Sequence, residues 1–451
     1  MDSATALDEV THPNAAVQEA LQRLYAMQRK SVGQRLHGTA YETLLDHLGR
    51  PQDKLPPVIH LAGTNGKGST TALLRAIYAA AGYTVHAYTS PHIFIFNERI
   101  CLNGASISDD LLLQTIARVD AVLARMDDTV SFFEYITAMA LLLFSERPAD
   151  ICLLETGMGG RLDPTNIVTH KAVTILTKIS FDHMRFLGNT LPEIAAEKAG
   201  IMRGGTPCVV APQYAPDAVL PVFHQIADDI GAVLHCAGTD WRVEGTSDTE
   251  MVFHWSGGRM ILPRPSLNGD HQLENAGNAV MATQLLQSIR HVPNTALKAG
   301  LRQATWPARL QRVDNPALIP ILPGVKLWYD GAHNDTGAQA MATQCRQWQD
   351  QGLHVHVIIA LGAGKNAGDF VAPFLPHIAS LQFLDLPVGR APRSGADMLA
   401  EYKGNAVPAS FAATPADALT ALASWINHSG GGQRHCVLFC GSLYFAARVL
   451  V

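Results

Sequence analysis

The sequence predicts an α/β protein, in which a parallel-sheet phosphate-binding domain is followed by a smaller α/β domain. Three observations predict it. Short, nearly continuous apolar runs at 58–62, 84–89, 150–155, 172–179 and 207–211 alternate with helical patterns, as parallel strands buried on both faces require. A glycine-rich turn, His60-Leu61-Ala62-Gly63-Thr64-Asn65-Gly66-Lys67-Gly68-Ser69-Thr70, leads from the first of these runs into a helix. The strand–helix alternation then resumes beyond Trp306-Pro307.

The elements follow in order. Residues 1–13 form a loose polar arm, and 15–29 has helical apolar spacing at Val17, Leu21, Leu24 and Met27. The phosphate turn opens a helix over 69–81, which Gly82 ends. Further helices are expected at 133–145 and 191–199. The second of these has Thr190 and Glu193 as a capping box, Pro192 in its first turn and Gly200 past its end. Residues 213–265 read as a small antiparallel insert, on the alternation of Met251-Val252-Phe253-His254-Trp255, and 267–289 as helix. Trp306-Pro307 breaks the pattern, which gives domains of 1–305 and 306–451. Strands at 325–329, 354–361 and 435–439 build the second domain. Ligands of such sheets bind at the carboxyl ends of strands, which makes the cleft between the domains the expected site.

Composition narrows the class. The 451 residues are 47% hydrophobic and 16% charged, with a formal net charge of −5. That balance fits a globular protein of two or three domains and argues against a nucleic-acid surface. The longest apolar run, 136–144, is too short to cross a bilayer, and the polar, acidic start is unlike a signal peptide. Seven scattered cysteines without a Cys-x-x-Cys pair read as reduced thiols of a cytoplasmic protein.

The chemistry gathers at predicted strand ends. In the turn, Thr64, Asn65, Gly66, Gly68 and Ser69 offer backbone N–H groups to a phosphate, and Lys67 reaches its terminal oxygens. The usual phosphate-loop pattern is met imperfectly, with Leu61 at its first glycine and Gly68 where a hydroxyl residue normally follows the lysine. Ser90, Glu155 and His183 each follow a strand of the same sheet, and hydroxyl, carboxylate and imidazole there suit Mg²⁺ beside phosphate. Taken singly these are ordinary turn, cap and anchor residues; their shared placement makes them a constellation. Asp330-Gly331-Ala332-His333-Asn334 ends a strand of the second domain, and Asn275 and Arg309 lie near the boundary. Phe132, Phe133 and Trp306 read as core rather than as ligand platforms.

From about Gly33 to Leu450 these motifs, in this order, resemble the folylpolyglutamate synthase/dihydrofolate synthase family of the Mur ligase superfamily. The carriers are the phosphate turn, Ser90-Pro91-His92 with Glu98-Arg99-Ile100, Phe133-Glu134, and Glu155 to Asp163 with Thr165-Asn166. Asp182-His183, Glu197-Lys198-Ala199-Gly200-Ile201, His271-Gln272 with Asn275-Ala276, Asp330 to Asn334 and Gly441-Ser442-Leu443 complete them. The resemblance implies a Mur-type ATP-binding domain before a Rossmann-like ligase domain, and ATP-dependent addition of L-glutamate to 7,8-dihydropteroate, to tetrahydrofolates or to both through an acyl phosphate. It implies Lys67 on the β/γ-phosphates, Ser90 and Glu155 on one Mg²⁺, and His183 at a second. Lys198 matches the lysine carbamylated in the family; by itself it reads as a cation at a helix end. Asn275, Arg309, Asp330 and His333 match nucleotide contacts from the two domains, which implies domain closure. The pterin is expected near residues 90–104 and Phe133, and a monomer is the family expectation.

Three departures stand out. Pro307-Ala308-Arg309 replaces Pro-Gly-Arg, Lys365-Asn366 replaces Lys-Asp, and 213–265 carries no family motif. A peptidoglycan-type Mur ligase would need a uridine-nucleotide domain ahead of the turn, where only about sixty residues stand. An inactive nucleotide-binding module would lack metal ligands or the lysine, and Ser90, Glu155, His183 and Lys198 are all present.

Overall fold

The structure, a computed structural model, describes residues 12–30, 38–386, 393–404, 407–428 and 433–451. The expected polar arm lies, up to residue 11, outside the described residues. The chain divides into two compact units, with the main break between Trp306 and Pro307; residues Leu267–Gly269 group with the smaller unit.

The larger unit is built on an eight-stranded sheet. Its strands are β1 (Val58–Ala62), β2 (Val85–Tyr88), β3 (Ile100–Leu102), β4 (Ala105–Ser106), β5 (Ile151–Glu155), β6 (Val173–Leu176), β7 (Pro207–Val210) and β8 (Val233–Cys236). Their order is β4-β3-β2-β5-β1-β6-β7-β8. Every pairing is parallel except β2–β3 and β3–β4. β1 is central and buried at all five positions, which is why its run is almost wholly apolar. Two helices of this unit, Phe132–Glu146 and Leu191–Ala199, start on side-chain caps. Ser131 accepts from Glu134 N and Thr190 from Glu193 N, and in each case the glutamate reaches back to the cap amide.

The expectation for 213–265 needs correction. Only β9 (Trp241–Gly245), β10 (Glu250–Trp255) and β11 (Gly258–Pro263) form the antiparallel sheet. Ahead of them Pro216–Ile230 is a helix that buries Val219, Phe223 and Ala227, one residue per turn. β8 is a parallel edge strand of the main sheet, half exposed at Val233, so it carries no strong apolar run. The expected helix at 267–289 is shorter, His271–Leu285.

The smaller unit holds a six-stranded sheet of β12 (Gln311–Arg312), β13 (Lys326–Tyr329), β14 (Leu353–Ile359), β15 (Ser380–Leu384), β16 (Ala409–Ala412) and β17 (Arg434–Cys440), in the order β12-β13-β17-β14-β15-β16. All pairings beyond β12–β13 are parallel. β12, β15 and β16 are additions to the sequence reading.

Candidate functional site

The phosphate turn crosses the carboxyl end of β1, with Gly63 at φ 155° and Gly66 at φ 95° before the helix Lys67–Ala80. Three contacts make its glycines obligatory. A β-carbon on Gly63 would overlap the Thr177 hydroxyl, and one on Gly66 would overlap Asn275 Oδ1. One on Gly68 would lie 2.7 Å from the indole Nε1 of Trp306. The last contact accounts for the glycine that follows the lysine. Trp306 packs over the helix start, with the Arg75 guanidinium 5.9 Å from its ring centroid. The sequence reading of Trp306 as core missed this placement. The signal was Gly68 itself, out of pattern directly after the lysine of the turn.

The turn is fastened to the segment that follows β6. Thr64 N and Asn65 N donate to Lys178 O at 2.9 and 3.2 Å. The Thr64 hydroxyl donates to Ser180 O and accepts from Ser180 N, both at 3.1 Å. Asn275, buried on the helix His271–Leu285, donates to Gln272 Oε1 at 2.9 Å and so holds its oxygen over Gly66.

Two lysine side chains converge on one carbonyl. Lys67 Nζ donates to Gly63 O at 2.9 Å and to Thr64 O at 3.2 Å. Lys198 Nζ donates to the same Gly63 O at 2.9 Å. Lys198 is buried, and desolvation, reinforced by the Lys67 charge, pulls its pKa down to about 7. Near neutral pH a large fraction of Lys198 is therefore the free amine, a nucleophile rather than a surface cation.

The helix end that carries Lys198 is held closely. Gly160 and Gly200 let two backbones meet, because a β-carbon on Gly160 would stand 2.7 Å from Lys198 O and one on Gly200 would overlap Arg161. Arg161 N donates to Glu197 O at 2.7 Å. The carbonyls past the helix are taken by cations. Lys171 Nζ donates to Ile201 O at 2.8 Å, and Arg203 donates to Gly200 O at 3.0 Å and Met202 O at 2.8 Å. Asn166 joins the group, its Oδ1 accepting from Lys171 and Arg203. Burial pushes the Lys171 pKa well down, with the Arg203 charge adding to it. None of Asn166, Lys171 and Arg203 was weighed as a site residue from the sequence; they fasten the backbone just past the helix that carries Lys198.

Glu155, buried, closes β5 beside β1. The loop after it is clamped by Asp163, which accepts from Gly157 N, Met158 N, Thr165 N and the Thr165 hydroxyl. The same hydroxyl is 2.8 Å from His60 Nε2. Burial holds His60 well below its usual pKa, so the ring is neutral and donates from Nε2. A buried chain thus ties β1 to the loop behind Glu155.

Ser90 stands at the end of β2, before a cis Pro91. The rest of its motif builds the loop. Glu98 accepts from the backbone N–H groups of Ile93, Phe94 and Ile95, and Arg99 donates to His92 Nδ1 at 2.9 Å. His183 follows β6 at φ 51°, its side chain half exposed. The ring of Phe133 lies against Gly157, where a β-carbon would overlap it. The turn, Ser90 and Glu155 therefore lie at or just past the ends of β1, β2 and β5, and His183 stands seven residues beyond β6; the four strands are neighbours in one sheet.

In the smaller unit, Arg309 lies between Ala308 and Leu310, at φ 57° and 40°. This left-handed pair is pinned by hydrogen bonds. Asp330 Oδ2 accepts from Leu310 N at 2.7 Å, Ala308 O accepts from Gly331 N at 2.9 Å, and Asn268 Nδ2 donates to Leu310 O at 3.0 Å. The other Asp330 oxygen accepts from Ala332 N. Gly331 leaves room for the Arg309 guanidinium, since a β-carbon there would be 2.7 Å from Nη1. His333 Nδ1 is 2.9 Å from Gly331 O. Asn366, the departure from Lys-Asp, caps the helix Ala367–Val371 by accepting from Asp369 N.

The donor set fits ATP and Mg²⁺. The glycine cradle is closed to any β-carbon, the Thr70 hydroxyl is buried without a protein partner at the start of the helix, and oxygen donors lie at the strand ends beside it.

Comparison with known proteins agrees. The Mur ligase middle domain family matches residues 61–283. The dihydrofolate synthase/folylpolyglutamate synthase of Bacillus subtilis is 38% identical over 67% of this chain and 70% of its own length. The structure of Escherichia coli FolC in complex with DHPP and ADP superposes with a TM-score of 0.80 at 26% identity, covering 95% of this chain and 96% of that one. The bifunctional folylpolyglutamate synthase/dihydrofolate synthase of Yersinia pestis, complexed with AMPPNP and Mn ion, gives a TM-score of 0.80 at 27% identity, covering 96% and 97%. A phosphate turn backed by metal-suited strand ends, a buried lysine amine and these relatives lead to one conclusion: the chain belongs to the folylpolyglutamate synthase/dihydrofolate synthase family of Mur ligases and is an ATP-dependent ligase.

Proposed function

We propose that the chain joins L-glutamate both to 7,8-dihydropteroate and to tetrahydrofolates, each acceptor carboxylate being activated by ATP as an acyl phosphate. The carboxylate attacks the γ-phosphorus and ADP leaves. The amine of L-glutamate then attacks the acyl carbon, and inorganic phosphate departs. The amides of the turn from Thr64 to Ser69 and Lys67 hold the phosphates, and Asn275, Arg309, Asp330 and His333 contact the rest of the nucleotide.

Ser90, Glu155, His183 and a carbamate on Lys198 would hold Mg²⁺ at two positions. The metal supplies charge neutralisation between phosphates and carboxylate. The carbamate forms when the Lys198 amine attacks CO₂ and loses one proton, which turns a repelling ammonium into an anionic oxygen ligand. The observation that carries this reading is the buried Lys198 amine sharing Gly63 O with Lys67. The buried, free cysteines support a reducing compartment, the cytoplasm, and we take the chain to work as a monomer.

The test is ATP-dependent phosphate release with L-glutamate and Mg²⁺, with dihydropteroate and tetrahydrofolate in parallel and product masses checked. Each product gaining one glutamyl residue supports the reading. Release with only one acceptor assigns a single activity, and silence with both, in a protein that binds ATP, refutes it. Carbon-13 NMR in labelled bicarbonate tests the carbamate separately, and Lys198→Arg should erase its signal.

A further inference from the structure

In the usual phosphate loop a hydroxyl residue follows the lysine, and its oxygen faces the magnesium ion. Gly68 leaves that place without a side chain. Its backbone does not call for glycine, since its φ is not positive and it lies inside the helix Lys67–Ala80, where glycine is a poor choice. What calls for it is an indole. The three atoms nearest to a β-carbon at 68 all belong to Trp306: Nε1 at 2.7 Å, Cε2 at 3.0 Å and Cζ2 at 3.2 Å. The nitrogen leads, so the N–H edge of the ring fills the space that Gly68 leaves open.

The ring is held along that helix. Arg75, seven residues after Gly68 and so on the same face, has its guanidinium carbon 5.9 Å from the indole centroid. Trp306 and the turn belong to one compact unit, and the side chain is half-buried. Among the described residues its Nε1 donates to no protein atom, although an indole N–H taken out of water ordinarily finds an acceptor.

The chemistry of the donor decides what it meets. A hydroxyl offers lone pairs to a cation, whereas an indole N–H offers only a proton. A metal ion repels it and an anionic oxygen accepts it. We infer that Trp306 Nε1–H donates to a phosphate oxygen of the bound nucleotide, as a further contact beside Lys67 and the amides of the turn. The inference rests on the reading of the turn as the phosphate site. It also fits metal ligands drawn from Ser90 and Glu155, at the ends of other strands, rather than from the turn itself. A hydrogen bond to an ionised oxygen is among the stronger ones, so its removal must weaken nucleotides in proportion to their phosphates and leave the nucleoside alone.

The experiment uses the full chain, Trp306→Phe, which keeps a ring against Gly68 and removes the N–H, and Trp306→His, whose five-membered ring keeps an N–H donor. ADP and adenosine are titrated by calorimetry, ADP both with Mg²⁺ and with EDTA. Indole ¹⁵N–¹H spectra are recorded for the six tryptophans, with Trp306 assigned by its absence from either variant. ADP should bind Trp306→Phe about 10-fold more weakly, with and without Mg²⁺, as the loss of one charge-assisted hydrogen bond requires. Adenosine should bind all three proteins alike, and Trp306→His should keep most of the ADP affinity. In the unaltered chain ADP should move the Trp306 proton downfield and adenosine should leave it in place. An indole signal that ADP does not move, or a Trp306→Phe protein that binds ADP at full strength, overturns the inference and leaves the phosphate turn standing. Equal losses with ADP and adenosine assign Trp306 to packing and overturn it as well. An unaltered chain that binds ADP no more tightly than adenosine overturns the phosphate-turn reading itself.

Discussion

Gly160→Ala adds one methyl group where the loop after Glu155 meets the helix end that carries Lys198. Gly160 does not occupy the left-handed region, so alanine is conformationally acceptable there and only space opposes it. The new carbon would lie 2.7 Å from Lys198 O, 2.9 Å from Glu197 O and 3.0 Å from Ile201 Cγ2. The first two neighbours are backbone and cannot swing aside. Ordinary contact requires a retreat of roughly half an ångström, with overpacking strain of about 1–3 kcal/mol. In a unit of this size that lowers the melting temperature by roughly 2–10 °C. The same retreat moves Lys198 relative to Gly63 O. Since a misplacement of 1 Å can cost about 100-fold, half of it should lower kcat about 10-fold. The assay is ATP-dependent phosphate release at saturating substrates, beside a calorimetric melt. Gly205→Ala is the control. It sits at φ 70° with no atom within 4 Å, so it should cost about 1–2 kcal/mol of backbone strain and leave kcat alone. A Gly160→Ala protein with unchanged melting temperature and full kcat would falsify the claim that this close approach sets the position of Lys198.

Other outcomes follow from the same geometry. Gly66→Ala combines φ 95° with a clash against Asn275, and calorimetric titration should show ADP affinity reduced at least ~10-fold, since about 1.4 kcal/mol of strain at the turn suffices. Lys171→Met removes the donor from Ile201 O, while Asn166 Oδ1 keeps its bond from Arg203; urea titration should show a loss of about 1–3 kcal/mol from the newly bare carbonyl. His356 is buried, bonded to Ser380 Oγ and His435 Nδ1, and held neutral with its pKa down to about 3, chiefly by desolvation and then by His435. A histidine depressed in the folded state keeps its full stability above its unfolded value of 6.5 and loses it as pH falls toward 3. At pH 5 that is about 2 kcal/mol, and the fall between pH 7.5 and pH 5, read from urea midpoints, should flatten in His356→Gln.

What was legible in the sequence depended on how strongly local pattern and burial coincide. β1, β5 and β6 are buried along their length, so apolar runs and strands coincide, and the turn between β1 and its helix is spelled by glycines that the backbone needs. β8 and β16 are edge strands with exposed positions, and exposure removes the apolar run by which a strand is recognised. Helix Pro216–Ile230 was hidden differently: Pro221 stands inside it, and a proline there argues against a helix in the sequence. At the site, sequence offered residue types at strand ends but not how they are fastened. Nothing local to Asn166 or Lys171 says that they meet Arg203 and the carbonyls beyond Lys198, because those contacts join segments some thirty residues apart.

The Gly63 carbonyl is where sequence and chemistry meet. An amide oxygen that accepts from Lys67 and Lys198 together brings two cationic side chains close in a buried place, an arrangement that costs free energy unless one of them gives up its proton. Lys67 lies on the turn and keeps a second acceptor, Thr64 O. Lys198 is the more deeply buried, and its pKa falls. Burial at the end of a tightly fastened helix therefore lowers the pKa of Lys198 beside the lysine of the turn. Neither the lysine codons nor the local sequence around them carries that shift; it comes from Gly160 and Gly200, which let the helix end approach the loop closely enough to bring the amine to the turn.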